Sequence, residues 1–417
     1  MQNWKDINPR LGIAYDLFGN GKTALKANIA RFVSGEQVGT AAAANPQATI
    51  ANNTTFNWRD LDGNGSIFNP DGSIQSGELT AGAATNANFG KGVSSGTTDP
   101  DILNGWGKRG HTWSFTAAVQ HELMPRVLVT AGYYRSSVSN QIVTRNTLIN
   151  RDSFDGPFCI NAPANANLPG GGNYQVCNLY DLKPAFVGRV NSVRTFAKNF
   201  GGGISDVYSG FDLSVVARFK RETFIQAGIN AQKRVYDVCD VLADGSMTTV
   251  TGFAPLGPQS ASYADGSTNC HQVFPLRPDV KLLATTTIPF DIKLSATYQF
   301  SRGPNILASW TATNAALLAA GSTLGRNLVS TTKTVALMQP GEEYGENLNQ
   351  LDVRVSKRFK MNRYTIRLDA DLYNVFNSNW PFTLSNTFST STTASTWLRP
   401  TNVLQGRLFK LGGQFSF

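Results

Sequence analysis

The chain has 417 residues, 41% of them hydrophobic, with 39 glycines, 25 phenylalanines and only 16% charged residues, against about 25% in ordinary soluble domains. Thirty-seven basic and 28 acidic residues give a net charge of +9, and the pI is near 9.4. This excludes a coiled coil, a collagen and a highly charged disordered chain. No apolar run approaches the ~18–20 residues of a membrane helix. No basic block marks a nucleic-acid surface, so nucleic acid is not an expected partner.

In chain order, Met1-Gln2-Asn3-Trp4-Lys5-Asp6 shows no apolar signal-peptide core. The first structural signal is period two. Leu11, Ile13, Tyr15 and Leu17 alternate with Arg10, Gly12, Ala14 and Asp16, as on a strand with one apolar face. The turn Gly19-Asn20-Gly21-Lys22 follows, rich in residues that tolerate positive φ. Leu25, Ala27 and Ile29 then alternate with Lys26 and Asn28, which completes a hairpin.

The first long polar connection, 34–109, contains Asp60-Leu61-Asp62-Gly63-Asn64-Gly65 followed by Asp71. The spacing is D-x-D-x-N-G-x5-D, that of an EF-hand-type loop with Asp at the twelfth position. Hard Ca²⁺ takes six to eight oxygens, and alternate residues supply them. Asp60, Asp62 and Asn64 are the side-chain candidates, and Ser66 would give its backbone carbonyl. Asp71 is shorter than the usual Glu, so Glu78 is a second candidate for closing the loop. The competing reading is an Asx/Gly turn with no metal. Otherwise no cofactor is expected.

Alternation recurs through Trp113–Val119, Val127–Tyr133, Phe211–Phe219, Ile225–Ala231, Val280–Ile288, Ile292–Phe300, Leu351–Phe359, Tyr364–Leu372 and Phe409–Phe417. With the first hairpin this predicts eleven long strands. The connections at 19–22, 124–125, 220–222, 289–291 and 360–362 are short. Those at about 34–109, 139–206, 235–273, 303–346 and 377–402 are long and polar. Outer-membrane barrels sort their connections this way, with short periplasmic turns and long extracellular loops. A soluble β-sandwich with one wet face would also alternate, but it has no reason to sort them. The polar face mixes Lys, Arg, Asp, Gln and Ser, as a wet lumen would. Tyr133, Tyr134, Phe219, Phe300, Phe359, Tyr373 and Phe376 are read as strand-end residues of an interfacial girdle. The predicted fold is all-β, an antiparallel transmembrane β-barrel of outer-membrane type.

The four cysteines, Cys159, Cys177, Cys239 and Cys270, fall two by two in polar loop segments, with no C-x-x-C. Local pairs Cys159–Cys177 and Cys239–Cys270 are the simplest disulfide reading, and an oxidising compartment follows from it. Three connectivities stay open, as do four free thiols.

Parity adds an expectation. Phe417 ends on the short-turn side, and the strand through Leu11 is the eleventh from it. Eleven is odd, whereas single-chain bacterial barrels have even strand numbers. Two unpaired strand edges in lipid are prohibitive. Residues 1–417 therefore read as the C-terminal part of a larger barrel.

Particular segments resemble a known family. They are Asn8-Pro9-Arg10-Leu11-Gly12-Ile13-Ala14-Tyr15-Asp16 with its Phe18-Gly19-Asn20-Gly21-Lys22-Thr23 turn, Asn349-Gln350-Leu351-Asp352-Val353-Arg354, and Asp371-Leu372-Tyr373-Asn374-Val375-Phe376-Asn377. Leu404-Gln405-Gly406-Arg407, leading into the terminal Phe415-Ser416-Phe417, belongs with them. Their order and spacing resemble TonB-dependent outer-membrane receptors, specifically the Oar-like branch with a carboxypeptidase-regulatory-like domain. The resemblance implies a barrel of about 22 strands, of which these are the last eleven. The family's signal peptide, plug and TonB box have no counterpart here. It further implies a place in the outer membrane of a Gram-negative cell, in contact with its lipid and lipopolysaccharide. The expected partners are a TonB complex, reached through the missing N-terminal part, and an extracellular ligand such as a siderophore, glycan or peptide. Adhesion without import, and a passive porin, are the alternatives.

Several residues invite functional readings that the pattern does not favour. His111 and His121 lie at opposite ends of one strand. His271 adjoins Cys270. Asp369 and Asp371 share the lumen face beside Arg367 and read as a charged ladder rather than an acid/base pair. Gly170-Gly171-Gly172 and Gly201-Gly202-Gly203 lack the strand-to-helix context of a phosphate cradle. Trp106, Trp113, Trp310, Trp380 and Trp397 are placed in outer loops and strand tops, where some would stack on a ligand. No catalytic constellation is present, so an enzyme is not expected.

Overall fold

A computed structural model describes residues 3–36, 50–79, 86, 89–91, 96–250, 260–391 and 395–417. Parts of the first, third and fifth long connections (37–49, 80–85, 87–88, 92–95, 251–259 and 392–394) lie outside the described residues.

The dominant element is one antiparallel sheet of eleven strands, each hydrogen-bonded to its neighbours in sequence. They are β1 (Arg10–Asp16), β2 (Thr23–Val33), β3 (His111–Met124), β4 (Val127–Ser139), β5 (Ser205–Arg218), β6 (Phe224–Asp237), β7 (His271–Ile288), β8 (Ile292–Ser301), β9 (Leu348–Met361), β10 (Tyr364–Tyr373) and β11 (Leu408–Ser416). The eleven strands and the sorting of short and long connections are those the alternation predicts. Among the described residues, β1 and β11 are the sheet's edges and do not pair with each other.

The short connections close tightly because their residues accept left-handed backbone. Arg221 and Glu222 have φ of 59° and 53° in a turn where Thr223 N–H donates to the Lys220 carbonyl at 3.2 Å. Consecutive positive φ values give this three-residue connection the twist that a tight hairpin needs. Phe290 and Asp291 do the same between β7 and β8, with φ of 71° and 54°. β7 is the longest strand and holds Pro275 and Pro278. Its register against β6 slips between Arg234↔Phe274 and Gln232↔Arg277, which accommodates prolines that cannot donate to the ladder.

The sheet's two faces differ in kind. Leu11, Ile13, Phe211, Leu213, Ile229, Val355, Leu368, Phe409 and Leu411 alternate along their strands and are exposed. Phe211 is paired with Tyr133 and with Ala231, so neighbouring strands keep this apolar face in register. In water such a face would be unstable at roughly 25 cal/mol per Å²; in hydrocarbon it is the favoured one.

Two positions depart from the expected girdle. Tyr133 and Tyr134 lie in mid-strand, not at a strand end. Tyr133 points with the apolar face, its ring 5.1 Å from Phe211 and 6.5 Å from Phe115. Tyr134 points the other way, stacked on Tyr208 at 5.6 Å, and its hydroxyl accepts from Asn230 Nδ2 at 2.7 Å.

The long connections are not simply polar coil. They build small sheets of their own. One joins Phe154–Asn161, Gln175–Leu182 and Ser262–Tyr263. A second joins Met247–Thr249, Ile142–Asn146, Ser192–Phe196 and Thr97–Thr98. A third joins Thr332–Ala336, Ser309–Thr313 and Thr387–Phe388. Most buried hydrophobic side chains of the described residues lie here rather than in the eleven-stranded sheet.

Candidate functional site

The loop layer is held by two hydrophobic cores. The larger gathers Phe158, Ile160, Val176 and Leu179 from the second long connection and Trp310, Val335, Leu337 and Met338 from the fourth. Phe388 and Trp397 join them from the fifth. The smaller packs Val143, Ala197 and Phe200 against Val238, Val241, Leu242 and Met247. Each apolar residue alone has too little neighbouring sequence to bury it. Four long connections, the second to the fifth, meet at one end of the sheet and supply the missing surface.

Covalent and ionic ties reinforce this packing. The structure joins Cys159 to Cys177 across a loop hairpin and Cys239 to Cys270 across the base of the third connection. Arg326 is clasped by Asp155 at 2.8 Å and Asp181 at 2.6 Å, and it also donates to the Leu182 carbonyl at 3.0 Å. Lys333 is buried, with Nζ donating to the Tyr180 carbonyl at 2.5 Å. Desolvation pushes its amine down to about 8, and Asp181 opposes the shift. Tyr174 donates to the Leu337 carbonyl, and burial pushes its phenol up to about 12. Burial raises Tyr263 as well.

The tryptophans divide by this packing. Trp310 and Trp397 belong to the larger core and are only 4% and 9% exposed, so neither offers a ring to a ligand. Trp397 Nε1 donates to the Leu307 carbonyl at 2.8 Å. Trp106 is 65% exposed. Trp380 donates to the Glu346 carbonyl at 2.7 Å and meets Phe382 edge-on. Trp113 lies in β3 on the outward face.

The inner face of the sheet is a hydrogen-bonded polar wall. Gln299 donates to Gln350 at 2.6 Å, Gln350 donates to Asp352 at 3.1 Å, and the Asn374 amide donates to Asp352 at 2.7 Å. A hollow of about 430 Å³ opens beside them, lined also by Ser214, Gln226, Lys281 and Thr297. Asp371 takes both arms of Arg354, and Asp369 takes Arg367 at 3.1 Å. Each carboxylate thus has its own guanidinium. His111 and His121 stand near opposite ends of β3, and His271 Nδ1 lies 2.6 Å from Asp237.

In the first long connection the structure draws some of the acidic candidates together. One carboxylate oxygen of each of Asp60, Asp62 and Glu78 lies within 4.8 Å of the other two. Asp60 accepts from the Gly63 and Gly65 amides at 2.7 and 2.9 Å, and the Gly65 amide foremost holds its carboxyl below the usual range. Asp62 accepts from the Asn64 amide at 3.1 Å, and Asn64 Oδ1 accepts from the Ser66 amide at 2.7 Å. These are Asx turns. Asp71 stands apart from the cluster and accepts from Ser73 Oγ and N at 2.6 and 2.9 Å, which lowers its carboxyl too. Of the two closing candidates, the structure brings Glu78, and not Asp71, beside Asp60 and Asp62. Position twelve carries Asp71, but the chain turns at 69–73, where Asn69 N–H donates to the Ser73 carbonyl, and Glu78 is the carboxylate that returns to Asp60 and Asp62.

The outer membrane beta barrel domain family matches residues 1–228. No curated protein matches the sequence. Among solved structures, the outer membrane transporter YddB of Escherichia coli is similar over 97% of this chain and 40% of its own, at 11% identity and a TM-score of 0.46. The ferric enterobactin receptor PfeA of Pseudomonas aeruginosa is similar over 98% and 40%, at 10% identity and 0.42. The FrpB iron transporter of Neisseria meningitidis is similar over 98% and 39%, at 9% identity and 0.41. The chain spans about 40% of the length of these structures. A sheet apolar on its outer face and polar on its inner one, with short turns at one end and folded loops at the other, agrees with the match over the first half. The chain belongs to the outer membrane beta barrel domain family.

Proposed function

We propose that this chain is the loop-bearing part of the wall of a TonB-dependent outer-membrane receptor, one that captures a large, scarce ligand outside the cell for import. The observation that carries the reading is the loop layer: long connections that bury two cores and carry two disulfides. A passive porin needs a constriction, not a separately folded layer of this size. A pre-organised surface is what tight capture of a dilute ligand requires, because ordering costs are met before binding. The order and spacing of motifs from Asn8 to Phe417 support the TonB-dependent class. The two sheet edges left unpaired among the described residues support a wall completed by further strands, since every backbone group in hydrocarbon needs a partner.

The test is to recover the native protein from outer membranes with an antibody to the fifth long connection, then measure its mass and follow uptake. A mass of about twice 45.1 kDa or more, with uptake of a ferric siderophore, oligosaccharide or peptide that stops when TonB is deleted, is expected. Ion conductance without ligand would favour a porin. Surface binding of a ligand that never enters the cell would favour adhesion. Either outcome would contradict the proposal.

A further inference from the structure

Glu78 is only 2% exposed. Its Oε1 accepts from the Leu61 amide at 2.9 Å. Its Oε2 is buried and has no hydrogen-bond partner among the described residues. The Asx turns account for Asp60, Asp62 and Asn64, but they do not account for this orphaned oxygen on a carboxyl group that converges with two others. A buried polar oxygen without a partner carries a desolvation cost. A cation held among the three converging carboxylates would meet that oxygen and offset their mutual repulsion.

We propose that Asp60, Asp62 and Glu78 bind a calcium ion in the first outer loop, independently of whatever ligand the receptor captures. All three groups are hard oxygen donors, which select Ca²⁺ or Mg²⁺ over thiophilic metals. Ca²⁺ suits an irregular loop because it accepts six to eight oxygens in flexible geometry, whereas Mg²⁺ demands a near-ideal octahedron. Asn64 Oδ1, the Ser66 carbonyl and water are the natural completing ligands. Glu78 lies 17 residues from Leu61. The backbone already meets beside it, with Arg59 N–H donating to the Glu78 carbonyl at 2.8 Å and Trp58 bridged to Leu79. Calcium would lock that crossing and stiffen the loop.

The full protein in detergent, stripped with chelator, is titrated with Tb³⁺ while the tryptophans are excited, Trp58 being two residues from Asp60; Ca²⁺ and Mg²⁺ are then added as competitors. The expected result is one saturable site from which Ca²⁺ displaces Tb³⁺ better than Mg²⁺ does, with a calcium Kd on the order of 10⁻⁴–10⁻³ M as in extracellular modules. Glu78→Gln and Asp62→Asn should each weaken it at least ~10–100-fold, the loss typical of outer-sphere partners alone, while Asp71→Asn leaves it unchanged. Heat-modifiable gel mobility confirms that the variants are folded. Absence of Ca²⁺-displaceable luminescence in the wild type, or wild-type affinity in folded Glu78→Gln and Asp62→Asn, would overturn the site. Loss in Asp71→Asn with retention in Glu78→Gln would overturn the assignment of Glu78.

Discussion

The eleven-stranded wall and the loop layer above it use the same apolar residue types in opposite ways. In the wall, Leu213 and Phe211 are exposed on one face of β5, and hydrocarbon is the solvent that stabilises them. In the loop layer, Trp310, Leu337 and Phe158 are buried, and exclusion of water stabilises them. The wall is insensitive to what lies above it, because its ladder pairs neighbouring strands. The loop layer depends on long connections arriving together, so it should be the more easily broken of the two.

The largest effect should come from the loop core. Trp310→Ala removes a side chain packed in the larger cluster and should cost about 3–5 kcal/mol. Differential protease cleavage should show the loops opening, while heat-modifiable gel mobility shows the wall still assembled. Simultaneous loss of both would show that the two regions are one cooperative unit.

The disulfides come next. Cys239→Ser with Cys270→Ser opens a 31-residue separation and should lower loop-layer stability by about 2–4 kcal/mol. Mass spectrometry after alkylation of the native wild type should find no reactive thiol before reduction and four after it.

Within the wall, Leu213→Arg places a charge on the outer face and should cost about 2–4 kcal/mol near the bilayer midplane. Ser214→Arg, one residue along on the polar face beside Gln226 and Lys281, should be tolerated. Folding yield into lipid vesicles reads the contrast. Equal yields would mean that the two faces do not differ.

The mildest probe is pH. Lys333 holds its proton less firmly in the folded loops than in the unfolded chain, near 8 rather than 10.5. Between those values the unfolded chain binds more protons, so loop-layer stability should rise with pH, by at most ~1.4 kcal/mol per unit. Tyr174, raised from 10.0 to about 12, and Tyr263, also raised, act in the other direction once the unfolded chain begins to lose their protons. Loop-layer stability should therefore peak near pH 10, and Lys333→Met should abolish the rise below it. A flat profile in the wild type would contradict the burial of that amine.

The wall was legible in the residues because its physics is local. Alternation such as Ile292, Leu294, Ala296 and Tyr298 specifies a face without reference to anything distant, and turns such as Pro289-Phe290-Asp291 interrupt it visibly. The loop layer was not legible, because its contacts are remote. Tyr174 meets Leu337, and Arg326 meets Asp155, 171 residues away. The apolar pairs Phe158 with Ile160 and Val176 with Leu179 were the available signal, but polar neighbours masked them and made the connections look like solvated coil. The acidic cluster was legible in part. Asp60 and Asp62 follow from spacing, whereas the nearness of Glu78 rather than Asp71 to them depends on a turn at 69–73 that the motif does not encode. Tyr134 shows the limit of composition, since an aromatic near aromatics turned out to face the polar side.

The eleven-stranded sheet has one lipid face and one wet face beneath a folded loop layer. The most direct measurement is a spin-label scan along β5 in lipid vesicles, with single cysteines introduced at positions 211 to 216. Labels at 211, 213 and 215 should collide mainly with lipid-soluble oxygen, and labels at 212, 214 and 216 mainly with a water-soluble nickel complex. Uniform accessibility along the strand, or alternation in the opposite phase, would contradict it.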